Sequence, residues 1–132
     1  MIIDSSALMA ILEDEPHAGD LTRAAAAGPC SMSTATWLEV GIVADQRSAR
    51  HGQRLDQLIA ALDINLVPVS TQHAQVARAA YRRFGRGTGS RARLNFGDCF
   101  AYALSVVSGE PLLFTGDDFV HTDVQPALPG RP

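Results

Sequence analysis

Four short segments with the pattern of strands, three of them apolar, alternate with helical patterns and constrain the fold of this 132-residue chain more than any other feature. They lie at residues 1–4, 30–33, 65–70 and 111–115. Short apolar runs of this kind are typical of buried strands. Strands that alternate with helices pair in parallel, and the helices then cover both faces of the sheet. The sequence therefore predicts an α/β fold with a parallel sheet between two layers of helices.

The helical patterns between these segments predict six helices. They are placed at 5–13, 16–27, 34–47, 50–62, 71–84 and 98–107. Hydroxyl side chains at the starts of three of them suit N-caps, which accept a hydrogen bond from a free backbone N–H. These candidate caps are Ser5 or Ser6, Ser33 and Thr71.

The chain has the length of one domain, which we place at residues 1–124. Residues 125–132 contain three of the seven prolines and are predicted to form a flexible tail. No apolar run approaches the roughly 20 residues that a membrane span needs, and the N-terminus has no basic region typical of a signal peptide. We therefore expect a cytoplasmic protein that does not enter a membrane.

All 11 basic residues are arginine, and their positions divide the chain into an acidic body and one basic segment. The absence of lysine excludes a Walker A phosphate loop and Schiff-base chemistry. Residues 78–93, here called the arginine segment, contain six arginines and no acid. The other 116 residues, with five arginines and 14 acids, carry a net charge of −9. Such a segment can bind a polyanion, or it can be an ordinary solvated helix face. Its arginines are Arg78, Arg82, Arg83, Arg86, Arg91 and Arg93.

Five carboxylates in four separate segments are placed where they can meet. Asp4 ends the first predicted strand, and Asp117 and Asp118 follow the last one. Asp98 begins the last helical pattern, and Glu39 interrupts the apolar residues of the third. Chemistry in a parallel α/β sheet collects beyond the carboxyl ends of the strands, so we expect these side chains to converge there.

A cluster of carboxylates favours a bound cation, because like charges a few ångströms apart raise one another's pKa. The two cysteines and four histidines share no metal-binding spacing, so only oxygen ligands are available, which favours Mg²⁺ or Mn²⁺ over zinc. Such ions support phosphodiester cleavage by activating water. Simpler explanations also exist. Asp4 or Asp98 could only cap a helix. Ser6 could hold Asp4 or a metal-bound water, or it could cap the first helix. The Asp117-Asp118 pair could be a solvated turn.

Four motifs, taken in order, resemble one known family. They are M-I-I-D-S-S-A-L at the N-terminus, W-L-E at 37–39, L-N-F-G-D-C-F-A-Y-A at 94–103 and P-L-L-F-T-G-D-D-F at 111–119. Together they are similar to the VapC-type toxins of the PIN-domain ribonucleases over nearly the whole chain. The resemblance implies a single PIN-like domain with Mg²⁺- or Mn²⁺-dependent endoribonuclease activity. It also implies an RNA substrate, a cognate VapB-type antitoxin and a homodimer.

The same resemblance implies roles for individual acids. Asp4 and Asp98 would be the principal metal ligands, and Glu39 would be a third. The identity of the fourth acid stays open. The Asp-Phe pattern of the family favours Asp118, whereas the spacing in other PIN branches favours Asp117.

We therefore expect a toxin-type endoribonuclease that hydrolyses RNA phosphodiester bonds with metal-activated water. The RNA would follow five residues of the arginine segment, namely Arg78, Arg82, Arg86, Arg91 and Arg93. The alternative is a non-catalytic module on the same fold that binds a cation or a nucleic acid. A phosphoryl-transfer domain with an aspartyl nucleophile would also need clustered acids, but such sites usually require a lysine, which this chain lacks.

Overall fold

The sheet at the centre of the protein is parallel throughout, as predicted. In the computed structural model, which describes residues 1–128, the strands are β1 (Ile2–Ile3), β2 (Ser31–Ser33), β3 (Asn65–Val67) and β4 (Leu112–Leu113). They lie side by side in the order β3-β2-β1-β4. The third strand ends earlier than predicted because Pro68 has no backbone N–H to continue the hydrogen-bond ladder.

Six helices are present in the described residues, with boundaries within a few residues of those predicted. They are α1 (Ser5–Leu12), α2 (Ala18–Ala26), α3 (Thr34–Arg47), α4 (Ala49–Ala61), α5 (Thr71–Phe84) and α6 (Phe96–Ser108). A search of residues 1–128 for a helix both long enough and apolar enough to cross a membrane finds none.

The helix caps agree with the predictions to different degrees. Ser33 caps α3 as predicted, since its hydroxyl accepts from the N–H of Ala35. The cap of α1 is Asp4, one of the alternatives left open for that residue, and not one of the serines that follow it. The cap of α5 is Ser70, not Thr71. In all three helices the cap is the last residue with extended backbone, from which a side chain reaches the free N–H groups of the first turn.

Each face of the sheet has its own apolar core. Ile2 and Leu112 contribute to the core that the sheet forms with α5 and α6. Ile3 and Leu113 contribute to the core formed with α1 to α4. These residues are paired in the register between β1 and β4, and successive residues of a strand point to opposite faces. The predicted parallel sheet with helices on both faces is therefore confirmed.

After β4 the chain returns to the sheet and covers its edge. Pro126 pairs in parallel with Leu112. The Leu112 N–H donates to the carbonyl of Gln125, and the Ala127 N–H donates to the carbonyl of Leu112, both at 2.8 Å. An edge strand offers unpaired backbone groups, and this extended segment satisfies those of β4.

The structure consequently differs from the flexible tail predicted for 125–132. Residues 125–128 are hydrogen-bonded to β4, and Ala127 and Leu128 also pack against the core on the side of α1 to α4. The prolines of this region mislead the prediction, because a proline is well tolerated beside a strand edge where its missing N–H is not needed. The remaining residues of the predicted tail, 129–132, lie outside the described part of the chain.

Candidate active site

Four of the five predicted acids lie together at the carboxyl end of the sheet. Asp4 directly follows β1 and is only 2% exposed, and Glu39 lies in the middle of α3. Asp98 lies in the first turn of α6, and Asp118, which follows β4, lies near enough for its charge to raise the pKa of Asp98. We call these four residues the acidic cluster. Its members come from distant parts of the sequence, so the tertiary fold is needed to assemble it.

Asp4 is held in place by a neighbouring serine. Its Oδ2 accepts hydrogen bonds from the backbone N–H of Ser6 at 3.1 Å and from the Ser6 hydroxyl at 2.6 Å. The Ser6 hydroxyl oxygen also accepts from the N–H of Thr115 at 3.2 Å, just beyond β4. Ser6 therefore orients Asp4 and links the start of α1 to the segment that leads to Asp118.

The other carboxylate oxygen of Asp4, Oδ1, is buried and has no hydrogen-bond partner among the described residues. An unsatisfied buried polar atom costs about 1–3 kcal/mol, and more when it is charged. Burial raises the pKa of Asp4, with a smaller contribution from the charge of Asp118, while the hydrogen bonds from Ser6 lower it. Capping of α1 thus explains the hydrogen bonds of Asp4 Oδ2, whereas Oδ1 would need a cation to compensate for its burial.

The Glu39 side chain extends into the acidic cluster alongside the backbone of Gly97. Its Oε1 accepts from the Ser5 hydroxyl at 3.2 Å. Its carboxylate lies so close to the backbone of Gly97 that a Cβ at this position would overlap it. Burial, and next the charge of Asp4, raises the pKa of Glu39. Sequence reasoning missed Ser5 and Gly97, although a glycine in the first turn of an apolar helix is a detectable signal of close packing.

A capping box orients Asp98. Its N–H donates to Oδ1 of Asn95 at 2.9 Å, and its Oδ2 accepts from the Asn95 N–H at 3.0 Å. Because Asn95 is the cap, α6 begins two residues earlier than predicted. Burial raises the pKa of Asp98 to about 7, with further contributions from Asp4 and Asp118. Capping therefore occupies Asp98 Oδ2 but does not explain why two other acids lie near this carboxyl group.

The two adjacent aspartates after β4 have different environments. Asp118 is half-buried, and its charge raises the pKa of both Asp4 and Asp98. Asp117 is exposed. Gly116, with φ at 90°, turns the chain just before the pair. The structure therefore brings Asp118 into the acidic cluster and leaves Asp117 at the surface.

The donor groups of the acidic cluster suit a hard divalent cation. Burial raises the pKa of the adjacent Cys99 thiol to about 11, so this side chain stays protonated and is a poor ligand. Across residues 1–128, no group of three or more His, Cys, Asp or Glu side chains is placed closely enough to form a ready-made metal site. The raised pKa values of Asp4, Glu39 and Asp98 and the unpaired Asp4 oxygen are the features that a cation of the Mg²⁺ type would relieve.

The arginine segment is exposed, but two of its six arginines have guanidinium contacts within the protein. The Nε of Arg86 donates to the carbonyl of Arg93 at 3.4 Å. Arg83 forms an ion pair with Asp123 at 3.2 Å, and its guanidinium lies 4.7 Å from the centre of the Phe84 ring. The loop after α5 is closed by backbone hydrogen bonds from Leu94 to Phe84 at 2.8 Å and from Arg86 to Leu94 at 2.9 Å. The five arginines predicted to contact RNA project from α5 or from this loop, namely Arg78, Arg82, Arg86, Arg91 and Arg93.

Comparison with known sequences finds a match to the PIN domain family over residues 1–125, which include the whole acidic cluster. Ribonuclease VapC28 of Mycobacterium tuberculosis is 49% identical over 133 residues, covering 99% of this chain and 100% of that protein. Ribonuclease VapC of Mycolicibacterium smegmatis is 52% identical over 126 residues, covering 94% of this chain and 97% of that protein.

Solved structures of the same fold are more distant in sequence. VapC20 of Mycobacterium tuberculosis, described as a toxin that cleaves the sarcin–ricin loop, superposes with a TM-score of 0.69 at 16% identity. The superposition covers 95% of this chain and 98% of that one. A toxin–antitoxin complex from Klebsiella pneumoniae gives a TM-score of 0.68 at 20% identity, with 92% of each chain covered. At these identities the likeness concerns the fold alone.

Proposed function

The chain belongs to the PIN domain family, among its VapC-type ribonucleases, and from this premise we propose that it is a toxin that hydrolyses RNA phosphodiester bonds. The names of the sequence relatives support the activity. The observation that carries the proposal is the buried Asp4 carboxylate, which has one oxygen unpaired and lies in a cluster with three other acids. A carboxylate with only a capping role would have no reason to keep that oxygen buried and unsatisfied.

We propose that the acidic cluster holds Mg²⁺ or Mn²⁺. When bound, such an ion activates water and stabilises the leaving oxygen of the phosphodiester. The residues around the cluster keep its oxygens aimed inward: Ser6 orients Asp4, and Asn95 orients Asp98. The proposed ligands are Asp4, Glu39, Asp98 and Asp118, and Asp117 is left out because it is exposed.

Features of the remaining surface support the proposed substrate and partners. The arginine segment would bind the RNA backbone, because its exposed guanidinium groups can pair with phosphates. A VapB-type antitoxin and a second copy of the chain are the expected protein partners, met in the cytoplasm. The apolar side chains of Trp37, Leu38 and Ile42, which are 43%, 63% and 48% exposed on α3, support a protein interface.

Cleavage of total RNA by the purified chain tests the proposal. The reaction is run with Mg²⁺, with Mn²⁺ and with a chelator, and the wild type is compared with Asp98→Asn. We expect discrete fragments that require metal and that disappear in the variant. The asparagine can still accept the hydrogen bond from the Asn95 N–H, so the fold and the RNA affinity should survive.

The adjacent aspartates provide a matched pair of controls. Asp118→Asn should reduce the cleavage rate by about 100-fold or more, as expected for loss of a group that acts on the reacting centre. Asp117→Asn, one residue away and exposed, should leave the rate unchanged. Equal activity in wild type and Asp98→Asn would point to a contaminating nuclease. RNA binding without cleavage would favour the non-catalytic module instead.

A further inference from the structure

An apolar groove lies between α5 and α6 and encloses about 430 Å³. Its wall on α6 includes Phe96 and Phe100, and its wall on α5 includes Tyr81. Phe96 is 77% exposed, the highest value among the large apolar side chains of residues 1–128. An aromatic ring held so far out of the core gains little from burial, so its exposure needs another explanation.

The aromatic side chains of the groove are arranged as a contact surface. The rings of Phe96 and Phe100 are 5.0 Å apart and meet edge to face at 87°. Such a contact uses at most one face of each ring, and the exposure of Phe96 leaves ring surface open to solvent. Tyr81, on the opposite wall, is 39% exposed. A flat apolar group could therefore enter between the two helices and stack.

The positive charge at the rim of the groove favours an anionic partner. Arg78 and Arg82 line the groove one helical turn apart on α5, and both are exposed. They begin the arginine segment, in which there is no acid. Aromatic faces for bases, combined with cations for phosphates, are the features by which proteins bind single-stranded nucleic acid.

The groove also lies close to the acidic cluster. Phe96 precedes Asp98 by two residues in the first turn of α6. Side chains two positions apart point to different faces of a helix, and a helix with its side chains is about 10–12 Å across, so the two side chains are separated by up to about one helix diameter. A base in the groove would therefore belong to a nucleotide near the phosphate that reaches the cluster, and the chain between them would pass around the first turn of α6.

We propose that this groove is a base-stacking subsite, in which an unpaired nucleobase of the RNA substrate stacks on Phe96 while Arg78 and Arg82 contact the adjoining phosphates. The identity of the polyanion as RNA rests on the proposed ribonuclease function. The subsite makes the protein selective for unpaired RNA, because a base inside a duplex has no face free for a protein side chain.

Fluorescence of 2-aminopurine tests the stacking directly. A short uridine-rich oligoribonucleotide carrying one 2-aminopurine is titrated with protein in chelator, so that binding is observed without cleavage. We expect the wild-type protein to quench the fluorescence of the 2-aminopurine when this base occupies the groove. With Phe96→Leu, which keeps an apolar side chain but has no ring, the quenching should vanish. Affinity should then fall by about 5- to 150-fold, the usual range for one stacked base.

Matched variants and a duplex probe complete the experiment. Phe96→Trp should retain the quenching, and Val106→Ala, an exposed apolar position near the other end of α6, should behave as wild type. The same oligonucleotide paired with its complement should show no quenching. Unchanged quenching and affinity in Phe96→Leu would overturn the proposal. So would a Phe96→Leu variant that binds RNA normally but sediments as a smaller assembly, which would assign the groove to contact with a second copy.

The fluorescence test of the subsite and the cleavage test of the ribonuclease function can fail independently. A wild type that quenches the probe but never cleaves RNA would refute the proposed ribonuclease function and leave the subsite standing. A wild type that cleaves RNA, with Phe96→Leu binding and quenching the probe equally well, would refute the subsite and leave the ribonuclease standing.

Discussion

At the scale of single residues, the acidic cluster combines two ways of holding a carboxylate. Asp4 accepts a hydrogen bond from Ser6, two positions away, and Asp98 accepts one from Asn95, three positions away. These bonds form with the first turn of a helix, so they orient the acids locally. Glu39 depends instead on partners far along the chain, which makes it the acid most sensitive to packing.

The contact between Glu39 and Gly97 predicts that Gly97→Ala is damaging. The new methyl group would overlap the Glu39 carboxylate, so either the carboxylate leaves the cluster or α6 shifts. We expect RNA cleavage to fall by about 100-fold and stability by about 1–3 kcal/mol. Cleavage rate and urea denaturation measure the two effects.

Gly41→Ala is the control, because a Cβ at Gly41 meets nothing within 4 Å and this residue also lies in a helix. It should keep full activity and gain up to about 1 kcal/mol of stability from helix propensity. If Gly97→Ala were as active as Gly41→Ala, the position of Glu39 would not matter for the reaction.

The raised pKa of Asp98 predicts how stability depends on pH. Burial moves this pKa from 3.8 to about 7 in the metal-free protein. Between these values the folded state keeps a proton that the unfolded chain has released, so stability falls as the pH rises through this range. The raised pKa values of Asp4 and Glu39 act in the same direction.

Thermal unfolding in chelator should therefore give a higher Tm at about pH 5 than at about pH 8. Added Mg²⁺ should raise the Tm more at the higher pH, where the carboxylates are ionised. Asp98→Asn has no titrating group at this position and should show a flatter pH profile. A profile as steep as that of wild type would place the source of the effect in other residues.

At the scale of elements, the six arginines of α5 and the loop after it divide by the contacts that they make. Arg83 is bonded to Asp123 and lies over Phe84, and Asp123 in turn accepts from the Tyr102 hydroxyl at 2.5 Å. This arginine therefore stabilises the packing of α5 against α6 and the segment after β4. The other five arginines are exposed, and of these Arg86 also donates from Nε to the carbonyl of Arg93. We propose that these five contact phosphate.

The division predicts different salt dependences for two variants. Arg91→Gln should weaken RNA binding and reduce the slope of log K against log salt by about 0.7, the value for one phosphate contact on a single strand. Arg83→Gln removes the same charge but a different contact, so its slope should match wild type. Filter binding in chelator over a range of salt measures both. Identical slopes in the two variants would mean that the charge of the segment acts as a whole.

At the scale of the whole molecule, the order β3-β2-β1-β4 places the first strand in the interior and leaves β4 at an edge. The site therefore forms at the ends of an inner strand and an edge strand, beside α3 and α6. The returning segment 125–128 protects that edge from pairing with another chain. It thereby stabilises the strand that leads to Asp118.

This arrangement predicts that truncation after Val124 is destabilising. The shortened chain loses two backbone hydrogen bonds to β4 and the packing of Ala127 and Leu128. We expect a loss of about 2–4 kcal/mol in urea denaturation. A chain that ends at Leu128 keeps these contacts and is the control. Equal stability of the two truncated chains would show that the segment contributes nothing to the sheet.

Local patterns in the sequence were sufficient to predict the fold class, the six helices and the positions of Asp4, Asp117 and Asp118 after the ends of strands. Helix periodicity, capping residues and short apolar runs act over a few residues, so they can be recognised along the chain. The motifs also indicated the family, because they follow one another in the expected order.

The tertiary structure decided the remaining features, since each depends on distances between remote segments. It placed Asp118 and not Asp117 beside Asp98, fitted Glu39 against Gly97, and engaged Arg83 with Asp123. It also paired 125–128 with β4. The periodic patterns of the sequence do not predict such contacts. Only the packing of the folded chain determines which of two adjacent side chains points inward and which strand edge stays free to pair.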